Sequence, residues 1–497
     1  MICSIEDSPL YPIINPKSIA FFGASNNILR MGSLMLSSTQ ALGYEGKIYP
    51  VHPSETAVRG LAAYQSIADV PEAPDCAIIV LPTDIVCRTL EDCGKKGIRH
   101  AIVVSGGFRE AGPEGAALQK KLERIAGRYG IRFLGPNCLG VANPHLKFNP
   151  TTITDDGAPG FVGLASQSGS FVTQMFDYLH RHGLGFSAAF SVGNEANIDL
   201  VDCLEYLGAC PRTKVITLYI EGITRGKKFV ETARAVAARK PVVALYIGGS
   251  EAGRSAGLSH TGSLSGPDEI YNGIFRQCGI IRAQTLTEMF DYALALGTLP
   301  RPKGNRVVVQ THSGGPGATA ADACGRAGLV LPSLSAQTVE RLKPMIPKTA
   351  STANPIDMTF SRNSEETFFN IPDILLDDDR IDMLLAYFLS PGLFVERVLR
   401  EMGVAETDIP VERDKMINGH IEAFLTLVRR HPDKPIVGFT YRSLQETMVR
   451  RLLDRGVPVY QDPERAARAM AAALSYWRMR DERSRDKSKK HSSIQRG

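Results

Sequence analysis

An α/β fold built on parallel sheets is predicted by two features of this sequence. Apolar runs of strand length alternate with segments of helical periodicity, and turn-forming residues follow the runs. Continuous apolar runs are typical of strands covered on both faces, as in parallel sheets flanked by helices. The 497 residues correspond to about three domains at about 150 residues each.

The first block of the chain contains five predicted strands, with helical patterns such as 117–129 between them. The strands are predicted at 18–22, 47–51, 76–81, 101–104 and 131–134. They end in Gly23-Ala24-Ser25, Pro50-Val51-His52-Pro53, Leu81-Pro82, Ser105-Gly106-Gly107 and Gly135-Pro136-Asn137. Because ligands of open α/β sheets bind beyond the carboxyl ends of the strands, these loops indicate a nucleotide-like ligand.

Two further α/β blocks follow, and segments rich in proline, asparagine or glycine at 143–160 and 299–304 separate the three blocks. The second block has predicted strands at 160–165, 188–192, 215–220 and 241–246. The third block has predicted strands at 306–310, 381–388, 435–439 and 457–460, followed by a helix predicted over 463–476.

Composition excludes several classes of protein. The net charge of +5 arises in the tail after Trp477, which carries eight basic and three acidic residues. We therefore expect a disordered, solubilising tail and no nucleic-acid-binding face. No apolar run reaches the roughly 18 residues of a membrane span, and the N-terminus lacks an export pattern. The nine cysteines include no C-x-x-C pair, which favours reduced thiols in the cytoplasm over a zinc site or a disulfide framework.

Two strand-to-helix junctions combine serine with glycine. They are Ser166-Gln167-Ser168-Gly169-Ser170 and Thr311-His312-Ser313-Gly314-Gly315. Free N–H groups and the dipole at a helix N-terminus favour an anion, although many such turns are simple caps. Their occurrence in adjacent blocks favours two helix ends that converge on one phosphate.

A histidine flanked by small residues, His260, occurs in the octapeptide 259–266. Neutral imidazole is nucleophilic near pH 7, and small neighbours leave room for a phosphoryl group on a ring nitrogen. Glu221 ends a predicted strand, where its carboxylate could set the tautomer of an imidazole. A loop histidine and a solvated glutamate are the alternatives. No H-x-x-H or H-E-x-x-H spacing is present, which disfavours a metal site.

A dinucleotide cofactor is a weaker interpretation of the first block. The turn at Gly23 is not a G-x-G-x-x-G motif, and the second strand ends in Val51-His52-Pro53 without an acidic residue for a ribose hydroxyl. Taken alone, Gly23 is more often a structural turn than a ligand contact. An NAD(P)-dependent oxidoreductase is therefore a distant alternative.

In their order along the chain, these motifs resemble the NDP-forming acyl-CoA synthetase superfamily, and most closely the α subunits of ADP-forming acetyl-CoA synthetases. The octapeptide 259–266 is the most specific motif. The resemblance implies a Rossmann-like CoA-binding domain at 12–145, followed by two flavodoxin-like ligase domains with parallel sheets at 155–295 and 303–477. The basic tail at 478–497 lies outside them.

The resemblance also implies a reaction, in which acyl-CoA and phosphate give acyl phosphate and free CoA. The acyl phosphate then phosphorylates a histidine, which passes the phosphoryl group to ADP. His260 corresponds to that histidine, and Glu221 corresponds to the carboxylate that orients it. The implied CoA-binding residues are Gly23, Ala24, Ser25, Pro53, Pro82, Ser105, Gly106 and Asn137, and the implied phosphate-binding residues are Ser168, Gly169, Ser170, Gly314 and Gly315.

The three blocks leave no room for the nucleotide-grasping domain that binds ADP or ATP with Mg²⁺ in this family, and no G-x-x-x-x-G-K-[ST] motif is present. We therefore expect a separate β-type partner chain and an α₂β₂ assembly in the cytoplasm. The expected substrate is a small carboxylic acid or its CoA thioester. Neither nucleic acid nor a membrane is an expected partner.

The sequence departs from the family pattern at four positions. Glu195 replaces a basic residue, Tyr246 and Gly249 replace a lysine and an arginine-bearing turn, and His312 replaces an asparagine. Loss of positive charge weakens anion binding. A non-catalytic CoA-binding or regulatory relative is therefore the alternative function, whereas the intact octapeptide and Glu221 favour the enzyme.

Overall fold

The computed structural model of the chain describes residues 4–153, 158–253, 266–347, 351–358, 366–388 and 392–494, with the backbone alone at 392–394 and 486–494. The chain divides into two compact units. The first unit comprises residues 1–180 and 184–289, and the second comprises residues 181–183 and 290–497.

The first unit begins with a parallel sheet and a short hairpin. Its strands are β1 (Ser18–Phe22), β2 (Lys47–Val51), β3 (Ala57–Val58), β4 (Leu61–Ala62), β5 (Cys76–Ile79), β6 (His100–Val103) and β7 (Arg132–Leu134). β3 and β4 form the antiparallel hairpin, and the other five form the sheet in the order β2-β1-β5-β6-β7. Every residue of β1 is buried, as its nearly continuous apolar run predicts.

A second sheet completes the first unit. Its strands are β8 (Val141–Ala142), β9 (Val162–Ser166), β10 (Phe186–Ser191), β11 (Val215–Ile220), β12 (Val242–Tyr246) and β13 (Ile281–Ala283). Their order is β13-β12-β11-β9-β10-β8, and β8 alone runs antiparallel to its neighbour in this sheet. Because β8 precedes the predicted separator at 143–160, the chain enters the second sheet earlier than predicted.

Helices cover both sheets of the first unit. They are α1 (Tyr11–Ile14), α2 (Met31–Ala41), α3 (Thr83–Lys96), α4 (Pro113–Tyr129), α5 (Gly169–Arg181), α6 (Leu200–Ala209), α7 (Gly226–Ala237) and α8 (Asp268–Cys278). Local chemistry sets several of their ends. The Asp199 carboxylate caps α6 by accepting from the N–H groups of Val201 and Asp202. Gly97 ends α3 with a φ of +99°, a backbone conformation that glycine adopts without strain.

The two sheets of the first unit share one apolar core. Phe21 of β1 and Phe190 of β10 belong to the same cluster of buried residues. Polar contacts cross the same boundary, since Asn15 donates to the hydroxyl of Tyr206 over 3.1 Å and Asn143 donates to a backbone carbonyl of α1 over 3.1 Å. The first two blocks of the sequence are therefore packed into a single unit.

The second unit contains the third parallel sheet. Its strands are β14 (Val307–Thr311), β15 (Ile356–Asp357), β16 (Met383–Tyr387), β17 (Ile436–Phe439) and β18 (Val459–Tyr460). They are ordered β15-β14-β16-β17-β18. The remaining helices are α9 (Leu286–Thr298), α10 (Gly314–Arg326), α11 (Ala336–Leu342), α12 (Ile371–Asp377), α13 (Gly392–Glu401), α14 (Ile409–Arg430), α15 (Thr447–Asp454) and α16 (Pro463–Ile494). The Arg465 guanidinium of α16 makes two hydrogen bonds of 2.7 Å to the Asp291 carboxylate of α9.

The last helix corrects one prediction. α16 continues to Ile494, so the prediction of a disordered tail at 478–497 is wrong for the backbone up to that residue. Two guanidinium groups lie over the Trp477 ring, that of Arg301 at 5.3 Å and that of Arg480 at 4.9 Å from the ring centroid. These cation–π contacts hold the middle of the helix. Because the first half of the helix is buried, the polar half extends an existing helix and needs no apolar face to nucleate one.

The predicted α/β class with parallel sheets is confirmed. Each predicted strand is present, with ends within two residues of the prediction. The strands without a prediction are the hairpin strands β3 and β4 and the edge strands β8, β13 and β15. Each has only two or three residues, which is too short to stand out as an apolar run. The domain boundaries at 145, 155, 295 and 303 stay predictions. Among the described helices, none is long and apolar enough to cross a membrane.

Candidate functional site

A cavity of about 560 Å³ lies in the first unit, where loops at the carboxyl ends of strands from both sheets meet. Residues predicted to bind CoA and residues predicted to bind phosphate line it together. They are Gly23, Pro82, Ser105, Gly106 and Asn137 from the first group, and Ser168, Gly169 and Ser170 from the second. Loops that are distant along the chain therefore form one site, as expected at the carboxyl edge of parallel strands.

Close backbone approach shapes this cavity near β1. Gly23 has a φ of +91°, and a Cβ atom there would lie 1.8 Å from the carbonyl oxygen of Val80. A Cβ atom at Gly32, in the first turn of α2, would lie 2.3 Å from the carbonyl oxygen of Gly23. The amino end of α2 packs directly on the turn after β1, and a side chain at either glycine would prevent this.

Three residues predicted to bind CoA lie outside the wall of this cavity. Ala24 is buried, and the backbone N–H of Ser25 donates to the hydroxyl of Ser33 over 2.9 Å. Pro53 lines a second cavity of about 680 Å³. The cationic side chains at that second cavity are those of Arg88, Lys95 and Lys96. Leu81 lines both cavities, which therefore adjoin each other.

The phosphate turn, residues 166–170, connects β9 to the amino end of α5. The hydroxyl of the fully buried Ser166 donates to the carbonyl oxygen of Ser168 over 2.8 Å and accepts from the N–H of Ser168 over 3.2 Å. The N–H groups in the first turn of a helix have no intrahelical acceptor, and the helix dipole favours negative charge there. This end of α5 can therefore hold an anion in the cavity.

The second unit repeats this turn at the junction of β14 and α10. The hydroxyl of Thr311 donates to the carbonyl oxygen of Ser313 over 3.0 Å, the same pairing between a strand end and the second residue after it. Gly314 and Gly315 are the first two residues of α10. The predicted phosphate-binding glycines are thus at a helix N-terminus, in a turn like that of the first unit.

His312 lies in this second turn, where the resemblance predicts asparagine. Burial lowers the pKa of His312, and the nearby Asp357 carboxylate opposes that effect. The imidazole is therefore neutral at pH 7, so the substitution adds no positive charge beside α10.

Gln167 connects the first turn to its neighbours, a role for which the sequence carries no signal. It directly follows β9 and is 8% exposed. Its Oε1 accepts from the backbone N–H groups of Glu221 and Gly222 over 2.5 and 3.0 Å. Its Nε2 donates to the Gly222 carbonyl oxygen and to the Glu195 carboxylate, over 2.8 Å in each case. One amide thus joins the carboxyl ends of β9 and β11 to the loop after β10.

Glu221 and Glu195, the two acidic residues next to this amide, differ in their surroundings. Glu221 is 7% exposed at the end of β11. Glu195 has a φ of +54°, and its Oε1 accepts from the N–H of Leu200 over 2.8 Å. Burial raises the pKa of Glu195 to about 7, although its hydrogen bonds oppose this. A group that changes charge near neutral pH therefore stands where the resemblance predicts a basic residue.

The loop after β10, in the second sheet, also contacts elements that flank the first sheet. Gly193 has a φ of +57°, and a Cβ atom there would lie 2.3 Å from the carbonyl oxygen of Pro136. The Asn194 amide donates to the Glu110 carboxylate and, over 3.1 Å, to Gln119. Gly193 and Asn194 both line the cavity. A short polar loop gives no sequence signal for such a role, because its partners come from distant parts of the chain.

His260 lies outside the described residues, in the segment that joins β12 to α8. The described ends of that segment give a structural reason for the tyrosine at position 246 and the glycine at position 249, where the family pattern differs. Tyr246 is buried at the end of β12, and its hydroxyl donates to the carbonyl oxygen of Gly266 over 2.7 Å. A Cβ atom at Gly249 would lie 2.1 Å from Oδ1 of Asp268. A side chain at position 249 would therefore displace Asp268.

Two segments of the chain match known families. Residues 17–144 match the family described as CoA binding domain, and residues 159–296 match the family described as succinyl-CoA ligase like flavodoxin domain.

Similarity to individual proteins extends along nearly the whole chain. The α subunit of acetate–CoA ligase (ADP-forming) II from Pyrococcus furiosus is 38% identical over 463 residues, which are 93% of this chain and 96% of that subunit. The 4-hydroxybutyrate–CoA ligase (ADP-forming) of Nitrosopumilus maritimus is 33% identical over 94% of this chain and 64% of that protein. The structure of acetyl-coenzyme A synthetase 1 from Candidatus Korarchaeum cryptofilum, solved with phosphate and ADP, superposes with a TM-score of 0.83 and 32% identity, covering 95% of this chain and 97% of that one.

Proposed function

Because this chain belongs to the family of ADP-forming acyl-CoA ligase α subunits, we propose that it interconverts acyl-CoA, phosphate and ADP with a carboxylic acid, CoA and ATP. The observation that carries the proposal is the cavity of the first unit, which the predicted CoA loops and the predicted phosphate turn line together. The first step joins a thioester carbon to a phosphate oxygen, so the two reactants must be held side by side.

CoA would extend across the two adjoining cavities. Loops with Gly23 and Asn137 line the first cavity, close to the phosphate turn. Pro53 lines the second cavity beside the cationic side chains of Arg88 and Lys96. Cationic groups suit the phosphates of CoA, and the apolar part of the wall suits its adenine ring. The thioester end would then lie in the first cavity.

The proposed chemistry has three steps. A phosphate oxygen attacks the thioester carbon, a C–O bond forms, and the C–S bond breaks to release CoA. A ring nitrogen of His260 then attacks phosphorus, an N–P bond forms, and the P–O bond to the acyl group breaks to release a carboxylate. Finally, a terminal phosphate oxygen of ADP attacks phosphorus, a P–O bond forms, and the N–P bond to His260 breaks. The first-turn N–H groups of α5 would stabilise the phosphate charge, and Glu221 would orient the imidazole.

The nucleotide and Mg²⁺ would be held by a β-type partner in an α₂β₂ assembly. The name of the Pyrococcus relative, an α subunit, supports a partner subunit, and the ADP and phosphate in the Korarchaeum structure support these two ligands. The relatives are named for acetate and for 4-hydroxybutyrate, so the proposed substrate class is small carboxylic acids.

Phosphorylation of the purified chain tests the proposal. The chain would be mixed with a panel of acyl-CoA thioesters and labelled phosphate, with and without a β-type partner chain. We expect acid-labile, base-stable label on His260 together with release of CoA. The His260→Asn variant should take no label, whereas His145→Asn, at an exposed histidine of the first unit, should be labelled like the wild type. CoA binding without label under all conditions would instead favour a non-catalytic CoA-binding relative.

A further inference from the structure

On the basis of this proposed function, we propose that Gln167 is a positioning residue for Glu221. Gln167 keeps Glu221 in place only while the side chain at position 195 accepts a hydrogen bond from the Gln167 amide. Glu221 is the carboxylate proposed to orient the phosphorylated imidazole. Gln167 directly precedes Ser168 of the phosphate turn, and its Oε1 accepts from the backbone N–H of Glu221. One side chain therefore connects the phosphate turn to the orienting carboxylate.

The orientation of the Gln167 amide is determined by its backbone partners. Two N–H donors, those of Glu221 and Gly222, converge on Oε1, and the Gly222 carbonyl oxygen faces Nε2. A flipped amide would set its NH₂ group against two N–H donors and its oxygen against a carbonyl oxygen. At a side chain that is 8% exposed, three unsatisfied groups would be costly, since each costs about 1–3 kcal/mol. The remaining N–H of Nε2 must therefore point at residue 195.

Residue 195 must then accept two hydrogen bonds. One oxygen of Glu195 accepts from Gln167 and the other accepts from the N–H of Leu200, over 2.8 Å in each case. A basic side chain supplies donors only, and an amide supplies one donor and one acceptor group. A carboxylate satisfies both contacts, which gives a physical reason for an acidic residue at this position.

Charged and titratable groups surround Glu195 on several sides. Asp199 precedes α6, Cys203 lies in α6, Arg109 follows β6, and the phenol of Tyr271 lies in α8. Burial and Asp199 raise the pKa of Glu195, whereas Arg109 lowers it. A protonated carboxyl would present a hydrogen to one of its two donor partners. The hold on Glu221 should therefore weaken as the pH falls below about 7.

Exchanging the two side chains tests this proposal. Gln167→Glu alone places the new carboxylate against the Glu195 carboxylate and the Gly222 carbonyl oxygen. Glu195→Gln alone leaves the new NH₂ group facing another N–H donor, that of Gln167 or of Leu200. In the double variant Gln167→Glu/Glu195→Gln, a carboxylate at 167 accepts from both backbone N–H groups and from the new amide, whose oxygen accepts from Leu200. The contact to the Gly222 carbonyl oxygen is lost, and a carboxylate oxygen faces that carbonyl oxygen instead.

The readout is the initial rate at which acyl-CoA and labelled phosphate phosphorylate His260, measured from pH 6 to 8.5. We expect each single variant to be slower by on the order of tenfold to a hundredfold, and the double variant to recover most of that loss. We also expect the wild type to lose rate below about pH 7. CoA affinity and thermal unfolding are measured for all variants, and Gln40→Glu, in the last turn of α2, is the matched control.

The outcomes separate this inference from the proposed function. Wild-type chain that takes no label, alone or with its partner chain, overturns the proposed function and the role of Gln167 with it. Wild-type label with single variants at the wild-type rate overturns the role of Gln167 alone. The role of Gln167 is also overturned if the rate loss of the double variant equals the product of the rate losses of the two single variants, because independent sites show no coupling.

Discussion

Tyr246 and Tyr271 stack face to face in the first unit, with ring centroids 3.6 Å apart and ring planes inclined by 12°. The Tyr246 hydroxyl donates to the carbonyl oxygen of Gly266, and the Tyr271 hydroxyl accepts from the N–H of Ile223 over 3.2 Å. The pair thus ties β12 and α8, the elements on either side of the His260 segment, to the loop after β11. The residue that departs from the family pattern at position 246 is therefore part of the packed core.

Removing one hydroxyl from this pair should have a measurable effect on stability. Tyr246→Phe keeps the stack and removes the hydrogen bond to Gly266, so we expect a loss of about 1 kcal/mol. Tyr246→Leu also removes the stacked ring and should lose about 2 kcal/mol or more. Chemical denaturation, followed through the unfolding transition of the first unit, would measure both losses. Equal free energies of unfolding for the two variants would contradict a stabilising role of the stacked ring.

The glycine at position 249 should resist substitution because of Asp268. An alanine Cβ would lie 2.1 Å from Oδ1 of Asp268, which pairs with Arg282. The carboxylate must move away, so we expect Gly249→Ala to destabilise the chain by about 1–2 kcal/mol.

A double-mutant cycle checks this prediction. Asp268→Ala removes the atom that the new methyl group displaces, so Gly249→Ala should lose little further stability in that background. Additive losses from the two substitutions would show that the contact is not the cause.

Gly193 holds the loop after β10 against the turn at residues 135–137. Gly193→Ala would combine a φ of +57° with a Cβ atom 2.3 Å from one backbone carbonyl oxygen and 2.5 Å from the next. Backbone cannot move aside as a side chain can, so we expect a loss of about 2 kcal/mol or more. We also expect weaker CoA binding, because Asn137 lies in the cavity wall. Calorimetric titration with CoA, beside thermal unfolding, would measure both. Gly226→Ala, where a Cβ atom meets nothing within 4 Å, should leave both unchanged.

Glu195 should make the stability of the protein depend on pH. Burial raises the pKa of this carboxyl from its ordinary value near 4.5 to about 7. Between these values the folded protein binds more protons than the unfolded chain, so raising the pH through this window lowers the free energy of unfolding. As the pH rises from about 5 to about 7, we expect the free energy of unfolding of the wild type to fall relative to that of Glu195→Gln. A difference that stays constant across that range, in denaturation curves of both proteins, would contradict the prediction.

Much of the fold could be predicted from local sequence. A strand such as Val215–Ile220 is an unbroken apolar run, and burial on both faces of a parallel sheet requires such a run. Short edge strands such as Val141–Ala142 could not be predicted, since their place in a sheet depends on which neighbour reaches them. The tail after Trp477 was mistaken for disorder, because the side chains that hold it, such as Arg301, come from more than 170 residues earlier.

The candidate site shows the same division. Glycine and serine at the carboxyl ends of predicted strands marked part of the cavity wall, because ligand sites of α/β sheets recur at that edge. Gln167, Gly193 and Asn194 carried no such signal. Their roles depend on contacts with backbone groups that lie close only in the folded chain.

By itself, then, the sequence determined the α/β class, the order of the strands along the chain, the small-residue turns after β1 and β9, and the resemblance that names His260 and Glu221. The tertiary structure alone decided that the loops predicted to bind CoA and the turn predicted to bind phosphate line one cavity, and that Gln167 connects Glu221 to Glu195. The reason is physical: apolar periodicity and turn chemistry are properties of neighbouring residues, whereas the partners of a buried amide or carboxylate are brought together only when distant strands pack side by side.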